Sequence, residues 1–197
     1  DNLFSNSLLA IDADTGKRRW HYQFTPHDIH DWDSTDVPIL ADFAVGGQPR
    51  KVVMVANRNG FFYTLDRANG QLITAKPYVQ TTWAKEVGPD GRPVLQPGHV
   101  PVEKGSLTCP DLVGGTNFWP PAYDPSQNLF FVNAREVCMI FYGWKREYKA
   151  GERSTGGAGQ RAPGMRAYGA LRAIDPITAE RKWEFEYLTP PTAGVLA

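Results

Sequence analysis

Apolar positions in this chain fall in short runs, FFYTL (61–65) and LFFV (129–132) among them, each ended by a polar, turn-forming stretch. Long helical patterns are few, while Gly (19) and Pro (16) are frequent. Short apolar runs punctuated in this way predict many short strands joined by turns. Further strand candidates are DVPILADFAV (36–45), KVVMVANRNG (51–60), FWPPAYDPSQNLFFVNA (118–134) and VCMIFYGW (137–144). Within the third, AYDPSQNLFFV has the pattern of a hairpin with DPSQN as its turn.

The strands recur in a repeat. Three segments match: LLAIDADTGKRRWHY (8–22), FYTLDRANGQLITA (62–75) and LRAIDPITAERKWEFEY (171–187). Each carries an apolar run before Asp12, Asp66 or Asp175, then a turn, then a second strand. An aspartate at the turn caps it through local hydrogen bonds. In the first and third copies a tryptophan, Trp20 or Trp183, follows eight positions later; the second copy has Thr74 there. The aspartates are 54 and then 109 positions apart, so the second interval holds insertions. Two polar, Gly- and Pro-rich stretches, 83–110 and 143–168, are expected to be those insertions and to be loops; loops of that length are often functional.

Four short strands per repeated unit predict an all-β chain built as a partial β-propeller of about three blades. The end of one blade is expected over 6–22, a complete blade over 36–80, a loop-interrupted blade over 116–188 and the start of another over 189–197. The competing fold for this pattern is an antiparallel sandwich. The chain opens within a strand-like pattern (DNLFSNSLLAID) and stops at PPTAGVLA without a closing element, which makes a piece of a larger protein the expectation.

Charge narrows the functional classes. Lys plus Arg (21) balance Asp plus Glu (21), a pattern that asks for neither nucleic acid nor an anionic membrane surface. The apolar runs are too short to span a bilayer, and no leader is visible.

Candidate chemistry concentrates in TPHDIHDWDST (25–35), where His27, Asp28, His30, Asp31 and Asp33 crowd together. Such a cluster suits a metal site, a general-base site or a polar loop between strands. The histidines lack a third nitrogen or sulfur ligand at zinc-like spacing, so His27 is expected to fix the loop by hydrogen bonds rather than bind metal.

Together, the hairpin AIDADTGKRRW (10–20) and the TPHDIHDWD that follows it resemble the PQQ-dependent (quinoprotein) methanol and ethanol dehydrogenases, over essentially the whole chain. The resemblance implies an eight-bladed propeller, of which this chain would supply roughly the third quarter, with Trp20 and Trp183 docking neighbouring blades. Asp31 matches the family's catalytic base, three positions after Thr-Pro-His-Asp. Asp33 resembles the second aspartate of members that use lanthanides, so Asp31 and Asp33 are the expected metal ligands, for Ca2+ or, favoured by Asp33, a lanthanide. Arg58 in ANRNG and Asn117 in GGTNFW match residues that contact the quinone, and Trp119 is a candidate for lining its pocket. For Arg58 the competing reading is a hairpin turn with its side chain in water, and for Trp119 a place in the core. Cys109 and Cys138, 29 positions apart, match a family disulfide; two buried free thiols are the alternative.

What the resemblance implies for function is oxidation of a small primary alcohol to an aldehyde with PQQ, in the periplasm, with a c-type cytochrome as electron acceptor. The family's other metal ligands and quinone-stacking groups come from blades this chain does not contain, so the chain by itself is expected to be inactive. A non-catalytic scaffold of the same repeats, like outer-membrane assembly factors, would account for Trp20 and Trp183 but not for Asp31, Asp33, Arg58 and Asn117 together.

Overall fold

A computed structural model describes residues 1–152 and 155–197; residues 153 and 154, inside the long segment expected to be a loop, lie outside the described residues. Among the described residues there are fifteen strands and no helix, and so none long and apolar enough to cross a membrane. In chain order they are β1 (Ser7–Ile11), β2 (Arg18–Gln23), β3 (Ile39–Val45), β4 (Gln48–Ala56), β5 (Phe61–Asp66), β6 (Leu72–Pro77), β7 (Ala84–Val87), β8 (Pro93–Leu95), β9 (Ser106–Thr108), β10 (Ala122–Asp124), β11 (Leu129–Glu136), β12 (Met139–Gly143), β13 (Gly157–Arg161), β14 (Tyr168–Ile174) and β15 (Arg181–Tyr187).

Two four-stranded antiparallel sheets, β3-β4-β5-β6 and β10-β11-β14-β15, form the body, with the β1-β2 hairpin as a third unit. The first lies within the segment 36–80 and the second within 116–188. The repeat is visible in the backbone: the ladders shift register at Ala10/Ile11, Thr64/Leu65 and Ala173/Ile174, immediately before each repeat aspartate. Asp12 then accepts from the Thr15 N–H, Asp66 from Ala68 and Asp175 from Ile177, closing the same turn three times. In the DPSQN hairpin Asp124 accepts from the Ser126 N–H in the same manner.

The middle sheet is buried on both faces over residues 52–56 of β4 and along β5, which is why those stretches are nearly unbroken apolar runs, while residues 48–51 of β4 are exposed. Val52, Met54, Ala56 and Phe62 face Phe130, Val132, Ala134 and Ile174 of the neighbouring sheet. The alternate residues Val53, Val55, Phe61 and Tyr63 face Tyr22, Phe24, Trp32 and Trp83 on the other side. By contrast β15 is largely exposed, with Trp183 44 % and Phe185 64 % accessible, and Trp183 contacts Phe131 at 5.7 Å between ring centroids.

The insertions are not plain loops. The first holds the β7-β8 hairpin, and β9, β12 and β13 form a separate three-stranded sheet, β13-β12-β9. VCMIFYGW therefore leaves the blade instead of continuing it: β11 pairs with β14, while β12 pairs with β9 and β13. A disulfide joins Cys109, after β9, to Cys138, before β12, and Ala162, Ile140 and Met165 pack around it.

Candidate active site

The Thr25–Thr35 loop is folded by one carboxylate. Asp28 accepts from the His30 N–H (2.9 Å) and the Trp32 N–H (2.6 Å), and from Asn6 Nδ2 (3.0 Å). This tight turn holds Asp31 at φ 65° and drives the Trp32 side chain fully into the core. There the indole stacks on His30 (4.3 Å between centroids, 18° between planes) and donates from Nε1 to the Asp111 carbonyl at 2.8 Å. Asp31 and Asp33, on either side of that anchor, stay exposed. The His27 side chain is exposed and makes no hydrogen bond among the described residues, so the loop is fixed by Asp28 and not, as expected, by His27.

The Asn57–Gly60 turn lies against this loop. Asn57 Nδ2 donates to Ser34 Oγ (3.0 Å) and Asp36 Oδ2 (3.1 Å), and the Arg58 N–H donates to the same Asp36 oxygen (3.3 Å). Asn59, fully buried, donates to the Phe24 carbonyl, Thr25 Oγ1 and Tyr63 Oη. So braced, Arg58 is not a solvated turn residue: it is 8 % exposed. Its Nη2 donates to the carbonyls of Asp31 (2.9 Å) and Leu112 (2.6 Å), and Nη1 lies 3.7 Å from Asp33 Oδ2. Its Nε is buried without a partner among the described residues.

The GGTN segment closes the third side. Gly115 donates its N–H to the Arg58 carbonyl at 3.0 Å, and a Cβ on Gly114 would sit 2.6 Å from that same oxygen, so only glycine permits the approach. Asn117 Nδ2 donates to the Val113 carbonyl, while its Oδ1 accepts from Thr35 Oγ1 at 3.3 Å. Asp111 stitches the segment together, accepting from Gly114 N–H and from Arg135 Nη2 at 3.3 Å. Asp31, Asp33, Arg58 and Asn117 thus belong to one connected cluster. Trp119 packs against Phe118 (5.3 Å), and no hydrogen bond or ring contact among the described residues ties it to that cluster.

Burial raises the Asp31 carboxyl above the usual carboxylate range; the charge of Asp33 pushes it the same way, and Arg58 opposes both. Burial also pushes Asp36 up to about 8, against the pull of the Arg58 N–H and its charge. His30 is pushed down to about 4 by burial and is therefore neutral.

Asp31 and Asp33 offer two exposed carboxylates held close enough to perturb each other, a hard oxygen donor set suited to Ca2+ or a lanthanide. Such ions take six or more oxygens, and among the described residues no group of three or more His, Cys, Asp and Glu is placed to hold one. The donors present fit part of a coordination sphere. The orphaned Nε of Arg58, whose guanidinium lies near the exposed Asp33 carboxylate, likewise fits a site completed by a polar ligand.

Trp32, Asp36 and Asp111 escaped the sequence reading of the site, and Asp28 entered it only as one of the crowded carboxylates. The PHD and DWD carboxylates were in view as types, but Asp28 is turned inward by the His30 and Trp32 N–H groups and by Asn6, 22 positions away, and Trp32 is anchored by Asp111, 79 positions away.

Residues 1–82 match the PQQ family model described as glucose/ethanol/alcohol dehydrogenase, beta-propeller domain. The chain is 37 % identical to the quinoprotein alcohol dehydrogenase PedH of Pseudomonas putida, over all of this chain and 34 % of that protein. It is also 37 % identical to the lanthanide-dependent methanol dehydrogenase of Methylacidiphilum fumariolicum, over 98 % of this chain and 33 % of that one. Among solved structures, the quinohemoprotein alcohol dehydrogenase from Comamonas testosteroni superposes with TM-score 0.92 at 33 % identity, covering 98 % of this chain and 31 % of that one. The chain spans about a third of the length of the curated relatives it matches.

Proposed function

Since the chain belongs to the PQQ-dependent quinoprotein alcohol dehydrogenase family and has its β-propeller fold, we propose that the whole protein oxidises a primary alcohol to an aldehyde, with Asp31 as the base. The observation that carries this reading is the bond from the buried Arg58 guanidinium to the Asp31 backbone, with Asp33 and Asn117 in the same cluster. The chemistry PQQ and its cation supply when bound is two-electron acceptance and Lewis-acid polarisation. Asp31, a carboxylate held by the Arg58 bond to its backbone, takes the proton of the alcohol hydroxyl. Arg58 fixes the Asp31 backbone with one nitrogen and would supply positive charge to the quinone oxygens as they are reduced. Asn117, steadied by the Val113 carbonyl, would offer its amide to the quinone. Asp31 and Asp33 hold the cation, and the second carboxylate favours a lanthanide over Ca2+.

Electrons leave to a c-type cytochrome, and the setting is the periplasm, where the Cys109–Cys138 disulfide persists. This chain without the remaining blades turns over no alcohol. The test is dye-linked alcohol oxidation by the full-length protein with PQQ and either Ca2+ or La3+. Asp31→Asn is expected to abolish turnover with both ions, and Asp33→Ala to abolish the La3+ response alone. Turnover that survives Asp31→Asn would overturn the assignment.

A further inference from the structure

Directly after β6, Tyr78 reaches both turns that carry the residues assigned to the quinone. Its N–H donates to the Gly60 carbonyl at 2.9 Å and its Oη to the Asn57 carbonyl at 3.1 Å. One residue thus bonds both ends of the turn from whose middle Arg58 projects. The Asn57 carbonyl also accepts from the Gly60 N–H at 2.9 Å, which closes that turn. The second turn rests on the same phenol. A Cβ on Gly115 would sit 2.8 Å from Tyr78 Oη, so the GGTN segment that ends in Asn117 lies directly on the hydroxyl.

Burial keeps the phenol a donor. Tyr78 is 7 % exposed and belongs to the apolar cluster between the two sheets, with Met54, Phe62 and Phe130. That burial raises the phenol well above its usual pKa, so the hydroxyl keeps its proton through the neutral range. The neighbouring sheet fixes the other end of the residue. Arg172 of β14, itself buried, donates from Nη1 to the Tyr78 carbonyl and is held by Glu136 at 2.7 Å and Glu184 at 3.0 Å. Glu136 in turn accepts from the Gln80 N–H at 2.9 Å. Residues 78–80 are pinned to the second sheet, and the Arg58 turn is pinned to residue 78. A site group works only when its support holds it to within about 0.5 Å, and here that support crosses from one sheet to the next.

We propose that Tyr78 is a positioning residue: its phenol on the Asn57 carbonyl sets where the Arg58 guanidinium stands, and Arg172 holds the phenol from the neighbouring sheet. This role rests on the proposed contact of Arg58 with the quinone and adds the support beneath it.

The test is calorimetric titration of the full-length, metal-loaded protein, stripped of its quinone, with PQQ, in a double-mutant cycle of Tyr78→Phe and Arg58→Ala. Removing the hydroxyl alone should weaken PQQ about fivefold to tenfold, the range a single hydrogen bond is worth. In the Arg58→Ala background the same change should weaken it less than about twofold, because the group it positions is gone. The absorption band of the bound quinone, which responds to charge beside its oxygens, should move in Tyr78→Phe toward its position in Arg58→Ala. Tyr123→Phe, which loses a phenol bonded to Asn128 in the DPSQN hairpin, should change neither reading. Arg172→Lys serves if Tyr78→Phe does not fold: it keeps the phenol and the charge but loosens the Tyr78 carbonyl, and its effect should likewise vanish without Arg58. Equal weakening in both Arg58 backgrounds, or none in either, overturns the positioning role and leaves the Arg58 contact in place. PQQ affinity unchanged by Arg58→Ala overturns the contact itself and the positioning role with it.

Discussion

The indole of Trp20 lies so close to Gly70 that a Cβ on that glycine would come within 2.6 Å of the indole Cε3. Trp20 Nε1 also donates to the Arg67 carbonyl at 3.0 Å. One tryptophan of the β1-β2 hairpin is thereby seated on the β5-β6 turn of the next sheet, held by a bond and by the absence of a side chain opposite.

Gly70→Ala should therefore destabilise the protein by about 2–4 kcal/mol, combining a left-handed φ of 76° with overpacking against the indole. Denaturant midpoints would measure it. In a double-mutant cycle with Trp20→Ala the loss from Gly70→Ala should shrink to the backbone part, because the ring it strikes is gone. Equal losses in both backgrounds would mean that the indole moves aside freely.

Such pairs show what the sequence could and could not disclose. The repeat turns were legible because each needs only an aspartate and its own next few residues, as Asp12, Asp66 and Asp175 demonstrate. β5 and the second half of β4 were legible because a strand segment buried on both faces is mostly apolar. The β9-β12-β13 sheet was not: β13 is GAGQR, fully exposed and without periodicity, and it becomes a strand only through pairing with β12. At the site, Asp31, Arg58 and Asn117 stood out through resemblance. Trp32 and Asp36 are set by burial, which depends on Asp111 and Asn57, far away in sequence.

The disulfide has a definite thermodynamic role. Cys109 and Cys138 enclose 29 positions of sequence separation, and loop-closure entropy for that length corresponds to about 3–4 kcal/mol. Cys109→Ala/Cys138→Ala should lower unfolding stability by roughly that amount, read from denaturant midpoints beside the unreduced wild type. Because β9 and β12 lie next to the bridge, hydrogen exchange should rise first in the β9-β12-β13 sheet and least in β4 and β5. Uniform acceleration across the chain would argue against a locally acting bridge.

Asp36 gives the protein a pH signature. The residue as a whole is half-buried, but its Oδ1 is closed off from water and has no partner among the described residues, while Oδ2 accepts from Asn57 and Arg58. Burial raises the carboxyl from 3.8 to about 8, so the folded protein keeps a proton there that the unfolded chain releases. A folded-state pKa above the unfolded one contributes stability that is complete below about 4 and is lost as pH rises toward about 8. The loss is at most roughly 1.4 kcal/mol per pH unit inside that window. Asp36→Asn keeps an acceptor for Asn57 Nδ2 and the Arg58 N–H but removes the proton equilibrium. Denaturant midpoints measured from pH 4 to 9 at constant ionic strength should therefore separate: the variant gains on the wild type with each step upward, and the gap stops widening near pH 8. Other ionising groups are common to both proteins and cancel in the difference. Parallel profiles would mean that Asp36 is already ionised across the whole range, with the Arg58 charge outweighing its burial.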